Sequence, residues 1–277
     1  MIFDDNYACY KVSYPFHITC FRSLYEHHWE DEYAFCGESH NFWEFTCMLE
    51  GEAESVLDEK IYLLKPGNFL CCPPTFFHRI RSVRSPCHLI NFSFEHTGTL
   101  PDSFAEGIFY LSSAEISELK SIIYRLQKAY LHDPADLDKG AEASCALVSF
   151  LIRLSKHHKP HARLVNSRSS MMYQKLVETM RVSIGENLTI QQIASRNAIS
   201  VTTAKELFKK YAGISPKAYY TEMRGNEALR LLKAGKEIIE VSELLSYSSP
   251  NYFSYSFKKQ FGIPPGQYCR QLLEDNE

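Results

Sequence analysis

The strongest constraint on this chain is a pattern that occurs twice near its C-terminus, in residues 189–216 and 237–264. Each copy contains a short stretch of apolar residues at helical spacing, a polar turn, and a second such stretch that ends in two lysines and a glycine. Apolar residues recurring every three or four positions indicate an amphipathic helix, and a glycine commonly ends one. The duplication therefore predicts two helix-turn-helix units.

Local residue chemistry agrees with this interpretation of both copies. Thr189 and Ser200 stand where the two helices of the first unit need N-caps. In the second unit Ser249 is the expected cap, and Pro250 occupies the first helical position, where its missing N–H has no cost. The buried faces of the two second helices are predicted to carry Val201, Ala204, Leu207, Phe208, Tyr211, Phe253, Phe257 and Phe261.

The opposite faces of the same two helices are predicted to point away from the core. Their residues are Thr202, Thr203, Lys205, Glu206, Lys209, Lys210, Asn251, Ser254, Tyr255, Lys258 and Lys259. Polar side chains on such a face can contact base edges in a major groove, and the four paired lysines can neutralise phosphates.

Charge distinguishes DNA binding from an all-helical packing domain. From residue 168 onward there are 15 Lys and Arg against 11 Asp and Glu, a net charge of +4. The remaining residues hold 15 against 22, a net charge of −7. The half that carries the duplicated pattern is the basic one, as contact with phosphates requires, and double-stranded DNA is the predicted partner.

The duplicated region resembles the paired helix-turn-helix domain of AraC/XylS-type transcription regulators. The resemblance covers residues 188–270 and is most specific over residues 252–268, while residues 215–235 look like the family's linker helix. It implies a regulator with a sensor domain and a sequence-specific DNA-binding domain. In this sequence Ser246 replaces the usual turn glycine, and Glu206 and Tyr255 stand where many relatives carry arginine.

Length and composition fit such a regulator. A chain of 277 residues with 45% hydrophobic residues supports about two domains with real cores. No apolar run is long enough to span a membrane, and residues 1–6 do not begin a signal peptide, so a cytoplasmic protein without membrane association is expected. The nine cysteines lack CxxC spacing, which favours reduced thiols. No cofactor and no enzymatic activity are predicted.

The first half predicts a β-structure. Residues 16–95 are rich in β-branched and aromatic residues and are interrupted by turn signals at residues 50–52, 58–59 and 65–68. Two amphipathic helices are predicted at residues 113–131 and 136–156. We therefore expect an α+β chain of two domains, with a cupin-like β-barrel and two helices in residues 1–160, a linker in 161–170, and an all-α double helix-turn-helix domain in 171–277.

Residues 42–53 and 64–79 look like the cupin-type sensor domain of the same family. The resemblance implies a pocket for a small polar effector such as a sugar, lined by His40, Trp43, Glu44 and His78. In metal-binding cupins the matching ligands would be Glu38, His40, Glu44 and His78. Glu38 replaces the usual first histidine, and we expect these groups to line a pocket rather than to hold a metal.

Three kinds of protein remain compatible with the sequence. The first is a ligand-responsive transcription regulator, which the residues favour. The second is a metal-dependent cupin enzyme or metal sensor fused to a DNA-binding domain, and the third is a constitutive regulator whose barrel only mediates association. For regulation, residues 1–17 are expected to fold over the barrel mouth and residues 157–170 to transmit the change. In the second helix the apolar residues are Ala143, Leu147, Phe150, Leu151 and Leu154. One face of this helix is expected to close the barrel and another to form a homodimer contact, and the alternative is that the whole stripe is internal core.

Overall fold

A computed structural model describes residues 15–35, 37–132, 137–157, 165 and 167–274. Residues 1–14 of the segment expected to fold over the barrel mouth, and half of the predicted linker, lie outside these residues. The strands are β1 (Phe16–Trp29), β2 (Trp43–Leu57), β3 (Lys60–Leu64), β4 (Asn68–Cys72), β5 (His78–Gly98) and β6 (Ile108–Tyr110). The helices are α1 (Ser113–Gln127), α2 (Leu137–His157), α3 (Arg168–Val182), α4 (Ile190–Arg196), α5 (Val201–Tyr211), α6 (Pro216–Lys233), α7 (Ile238–Leu244), α8 (Pro250–Phe261) and α9 (Pro265–Glu274).

The strands form one antiparallel sheet in the order β1-β5-β2-β4-β6, with β3 paired to β2. Among the described strands, β1 and β6 remain edges, so the sheet is not a closed barrel. The expected cupin-like barrel is therefore not confirmed, whereas the order of an N-terminal sheet domain and a C-terminal helical domain is.

The longest strand pairing, between β2 and β5, runs through a position where the sequence predicts a turn. The predicted turn at residues 50–52 is wrong, because β2 continues through it with register shifts at Glu50 and Glu52. Gly51 makes this irregularity feasible, since its φ is 79° and a Cβ there would lie 2.3 Å from the Pro86 carbonyl oxygen. The other two turn predictions are confirmed between β2 and β3 and between β3 and β4.

An aromatic stack forms the core of the sheet domain. The rings of Phe45 and Phe92 are 5.1 Å apart at their centroids, and Phe94 and Phe69 lie against Phe45 at 5.4 and 5.6 Å. Helices α1 and α2 cover this stack with their apolar stripes. The predicted helices are confirmed, although α1 ends at Gln127 and continues as a π-helical turn, Lys128–His132.

The apolar stripe of α2 belongs to the core of the sheet domain and does not form a separate surface. Its five residues, predicted to serve both the core and a dimer contact, are at most 2% exposed within the single chain. They are Ala143, Leu147, Phe150, Leu151 and Leu154. The interpretation of this stripe as a dimer surface is therefore wrong, and the homodimer stays a prediction that requires another face.

The C-terminal helices form two helix-turn-helix units joined by α6. Both predicted N-caps of the first unit are confirmed, since Thr189 accepts from the Gln192 N–H and Ser200 accepts from the Thr203 N–H. Ser249 caps α8 with Pro250 at its first position, and Gly262 ends it in the left-handed conformation. Helix α3 begins at Arg168, so the last three residues of the predicted linker are helical. No helix in the described ranges could cross a membrane.

The tight turns of both units contain a residue in the left-handed region. Ala198 has a φ of 54°, and Ser246, the residue that replaces the usual glycine, has a φ of 49°. Ser246 therefore adopts the left-handed conformation that a glycine at this position would provide. A side chain in this conformation costs free energy that glycine does not incur.

We expect Ser246→Gly to stabilise the protein. Glycine removes the left-handed penalty but loses more entropy on folding, so the net gain in the free energy of unfolding should be at most about 1 kcal/mol. Urea unfolding followed by circular dichroism measures it. Ala204→Gly, inside α5 and buried, is the matched control and should destabilise. A loss of stability in Ser246→Gly would contradict the strain argument.

Candidate nucleic-acid interface and N-terminal cavity

Helix α5 buries one face and exposes the other, as predicted. Ala204, Leu207, Phe208 and Tyr211 are buried. The polar residues predicted to face away, namely Thr202, Lys205, Glu206, Lys209 and Lys210, are exposed, and Thr203 is half-buried. The half-buried position of Thr203 follows from capping, because its hydroxyl lies 2.9 Å from that of Ser200.

Helix α8 repeats this arrangement in the second unit. Phe253 and Phe257 are buried, and Phe261 is partly buried against the same cluster. Asn251, Tyr255, Lys258 and Lys259 are exposed, while Ser254 is half-buried. Tyr252 is also 55% exposed on this helix, which sequence reasoning missed as a surface residue.

Lys210 differs from the other three paired lysines. Its ammonium donates to the Ser169 hydroxyl at 3.1 Å and lies 4.8 Å from the ring centre of Tyr211. These contacts direct the side chain towards the start of α3. Lys209, Lys258 and Lys259 are therefore better placed to reach a phosphate than Lys210.

Arg224 on α6 bonds to residues of both units or next to them. Its position in the linker helix did not reveal this role. Only 8% exposed, it donates to the side-chain oxygen of Asn187, just before the first unit, and to the carbonyl of Leu245 in the second. Its guanidinium carbon also lies 4.4 Å from the ring centre of Tyr247. This buried cation thus joins the apolar packing of α6, α7 and α8 in positioning the second unit relative to the first.

The sheet domain contains a cavity of about 360 Å³. One part of its wall is aromatic, with Trp29 and Tyr33 stacked at a centroid distance of 4.2 Å. Another part is polar: Asn91 donates to Thr46 at 3.2 Å and accepts from Ser23 at 3.2 Å. Sequence reasoning offered Tyr33 to the pocket but missed Trp29 and Asn91. These two residues belong to β1 and β5, and only the strand pairing brings them beside β2. Thr46 lies two residues after Glu44 on β2, so the two side chains face the same side of the sheet. This alternation could have identified Thr46 as a cavity residue from the sequence.

A cluster of carboxylates and imidazoles stands at one end of this cavity. Glu44 Oε1 lies 3.3 Å from His78 Nε2, and Glu44 Oε2 lies 3.5 Å from His40 Nε2. Glu38 Oε1 is 4.0 Å from His78 Nε2. Ligand atoms of all four residues fall within 4.8 Å of one another, so the sequence-predicted set Glu38, His40, Glu44 and His78 does come together.

Two predicted ligand contacts do not line the cavity. Trp43 is 8% exposed and packs on the aromatic core, 5.9 Å from Phe45. Neighbouring residues in a strand face opposite sides, so Trp43 turns away from the side that Glu44 occupies. His40 lies behind the wall, where its ring stacks on Phe42 at 3.8 Å and Nδ1 lies 2.9 Å from the Phe42 carbonyl oxygen.

The pKa values of the central pair are displaced in opposite directions. Burial alone would raise the pKa of Glu44, but hydrogen bonds and charges from His40 and His78 outweigh it and hold the pKa well below its usual range. Burial alone would lower the pKa of His78, but the neighbouring Cys72 and Glu44 raise it well above its ordinary value. Both displacements favour the charged forms of the two groups.

Comparison with known proteins identifies the helical region. The family described as "Helix-turn-helix domain" matches residues 193–271. The HTH-type transcriptional regulator YobQ of Bacillus subtilis is 27% identical over 86% of this chain and 90% of its own length. The HTH-type transcriptional regulator ArgR of Pseudomonas aeruginosa is 29% identical over 46% of this chain, which spans only 41% of that relative.

A solved structure of an AraC-type DNA-binding domain from Chromobacterium violaceum is also similar. It is 31% identical, covers 39% of this chain and 96% of its own, and has a TM-score of 0.36. YobQ and ArgR are both named as transcriptional regulators, and the family match includes α5 and α8, whose exposed faces are described above.

The displaced pKa values predict how stability depends on pH. A raised pKa in His78 stabilises the fold fully below the unfolded value of about 6.5, and this contribution is lost as pH rises through the folded value. A lowered pKa in Glu44 stabilises it above about 4.3, and that contribution is lost as pH falls towards the folded value.

Glu44→Gln should therefore lower the free energy of unfolding by about 1–3 kcal/mol between about pH 4.3 and pH 6.5, where both contributions are present. The loss should be smaller at alkaline pH. Urea titrations from acid to alkaline pH measure the difference from the unaltered protein. Glu186→Gln, which removes an exposed ion pair with Arg196 in the other domain, is the control. A deficit in Glu44→Gln that does not change with pH would show that the two groups do not titrate as a pair.

Proposed function

Because the chain belongs to the AraC/XylS family of DNA-binding transcription regulators, we propose that it reads specific sites in duplex DNA with both helix-turn-helix units and that a small polar molecule in the N-terminal cavity controls this activity. The family assignment follows from the match to the duplicated region and from the relatives named as regulators.

The exposed faces of α5 and α8 support DNA reading by two units. Helix α6 and the buried Arg224 hold the two units in one body, so both faces can engage a single duplex. In this proposal the two helices enter successive major-groove segments about 34 Å apart along the duplex. Glu206 can accept from cytosine N4, and Asn251 can pair with adenine.

Substitutions on the two faces should have different effects. Glu206→Ala and Tyr255→Ala should change which DNA sequences are selected, because the proposal assigns these exposed side chains to base edges. Lys209→Ala and Lys258→Ala should each lower the affinity for DNA of any sequence by a similar factor. Each should also reduce the salt dependence of binding by about one phosphate contact. Site selection from a random DNA library and anisotropy titrations at several salt concentrations measure both effects.

Lys175→Ala, an exposed lysine on α3 outside both units, should leave affinity and preference unchanged. If Glu206→Ala and Tyr255→Ala keep both affinity and preference, the assignment of base-reading residues is wrong.

The cavity supports recognition of a small polar ligand. Its volume lies in the range of small-molecule sites, and an aromatic wall facing hydrogen-bonding groups suits the two faces of a sugar. Glu44 and His78 can accept from and donate to hydroxyls, and Asn91 and Thr46 extend this polar surface. Trp29 takes the aromatic role that the sequence assigned to Trp43.

A second candidate is a metal-dependent enzyme or metal sensor built on the same cluster. His40 Nε2 is buried, and among the described residues its acceptor is Glu44 Oε2, at a long 3.5 Å. Two imidazoles and two carboxylates form a donor set suited to a divalent first-row metal.

A thermal-shift screen distinguishes the two candidates. Sugars, polyols and hydroxy acids should include a compound that raises the melting temperature of the chelator-treated full chain, because a ligand of the folded state stabilises it. Asn91→Ala should abolish that shift, and Asn251→Ala, an exposed asparagine of α8, should keep it. Stoichiometric metal that survives dialysis and is lost in His78→Gln would instead favour the metal candidate. No shift with any compound and no retained metal would contradict both.

A further inference from the structure

The helical domain rests on the sheet domain beside the cavity. Phe77, which is 4% exposed, packs its ring edge-to-face on Tyr219 of α6 at a centroid distance of 4.9 Å. Val56 and Ile61 belong to the same buried cluster, which otherwise consists of residues from α3 to α6 and the segments between them. The contact between the domains therefore has an apolar centre.

Polar contacts surround this centre. Asp58 in the β2–β3 turn accepts from the Phe77 N–H at 2.9 Å and lies 3.3 Å from Arg181 of α3. Asn226 of α6, itself 9% exposed, donates to the Thr75 carbonyl at 3.0 Å. The Arg181–Asp58 and Asn226–Thr75 contacts join the two domains, so separation of the domains would leave these groups without their partners.

The segment of residues 75–79 reaches from this contact to the cavity. Phe77 turns towards the helical domain, while the next residue, His78, turns towards Glu44 in the cavity. Arg79 lines the cavity and donates to the Lys210 carbonyl at the end of α5, at 2.6 Å. The Thr75 N–H donates to the His40 carbonyl at 2.6 Å.

The conformation of this segment depends on these contacts. Thr75 has a φ of 70°, a left-handed conformation that a β-branched residue rarely adopts without support. The backbone of His78 is paired with that of Glu38, at 2.9 and 3.0 Å. A displacement of the His78 backbone would therefore act on Phe77 and Thr75, which make the domain contact.

We propose that residues 75–79 couple the cavity to the docking of the DNA-binding domain, so that an intact Glu44–His78 pair and a docked helical domain stabilise each other. This inference rests on the proposed function, since it assigns the route by which a cavity ligand acts. A ligand that binds one arrangement of His78 better than the other shifts the docking equilibrium. The free energy of this shift equals the difference between the two binding free energies. The exposed polar faces of α5 and α8 remain accessible in the docked arrangement. Docking therefore sets the orientation of these faces relative to the sheet domain and does not block them.

The test uses the full chain without ligand. Arg181→Ala and Asn226→Ala loosen docking from the helical side and touch no cavity residue. Both tryptophans, Trp29 and Trp43, lie in the sheet domain, and Trp29 lines the cavity, so quenching of their fluorescence by acrylamide reports on the sheet domain. Each variant should raise the quenching constant, and should raise the hydrogen-exchange rates of the amides in residues 75–79 by at least about threefold.

Two controls are matched to these changes. Arg196→Ala removes an ion-paired arginine of the same domain whose partner, Glu186, is not in the sheet domain, and it should change neither readout. In the reverse direction, His78→Gln should increase the radius of gyration measured by X-ray scattering. Asn91→Ala, a cavity change outside the segment, should not.

The proposal is overturned if the double variant Arg181→Ala/Asn226→Ala expands the molecule while quenching and exchange at residues 75–79 stay unchanged. It is equally overturned if this double variant alters none of the three readouts, since the contacts would then not hold the domains. Because no ligand is used, either result can occur whether or not the cavity binds a small molecule, and the two proposals fail separately.

Discussion

The buried guanidinium of Arg224 is the interaction on which the geometry of the DNA-binding domain depends. A charge removed from water needs several good partners, and Arg224 finds an amide oxygen, a backbone carbonyl and an aromatic face. These partners come from the segment before the first unit and from the second unit. The separation between α5 and α8 is therefore fixed by packing inside one body, not by a flexible connection.

Strand alternation organises the sheet domain in a comparable way. Along β2, Trp43 and Phe45 face the aromatic core, while Glu44 and Thr46 face the cavity. The same strand thus supplies the hydrophobic stability of the domain and its polar pocket. A register shift of one residue would exchange these two surfaces, which ties the existence of the pocket to the formation of the core.

Sequence reasoning predicted the features that depend on local chemistry. The caps at Thr189, Ser200 and Ser249 and the exposed faces of α5 and α8 follow from residue type and helical spacing, and these were correct. The family resemblance brought together Glu38, His40, Glu44 and His78, and the structure places their ligand atoms close to one another.

Features that depend on long-range pairing were not accessible in this way. The cavity wall contributed by Trp29 and Asn91 arises from pairing of β1 and β5 with other strands, which no local pattern specifies. Gly51 was interpreted as a turn because glycine favours both turns and bulges, and only the partner strand distinguishes them. The stripe of α2 could not be divided between core and surface from periodicity alone. The domain contact at Phe77 was missed, because an aromatic residue beside a cavity resembles ordinary core.

The left-handed residues Ala198 and Ser246 have an evolutionary consequence. Two copies of a unit can diverge in residue identity and still keep one backbone shape, provided that the rest of the fold supports the strained position. A search that demands glycine at this turn would pass over both copies, although their geometry is retained. A single substitution to glycine in either turn would increase the stability of the fold slightly. Such unused stabilising substitutions are expected, because selection holds proteins above a stability threshold rather than at an optimum.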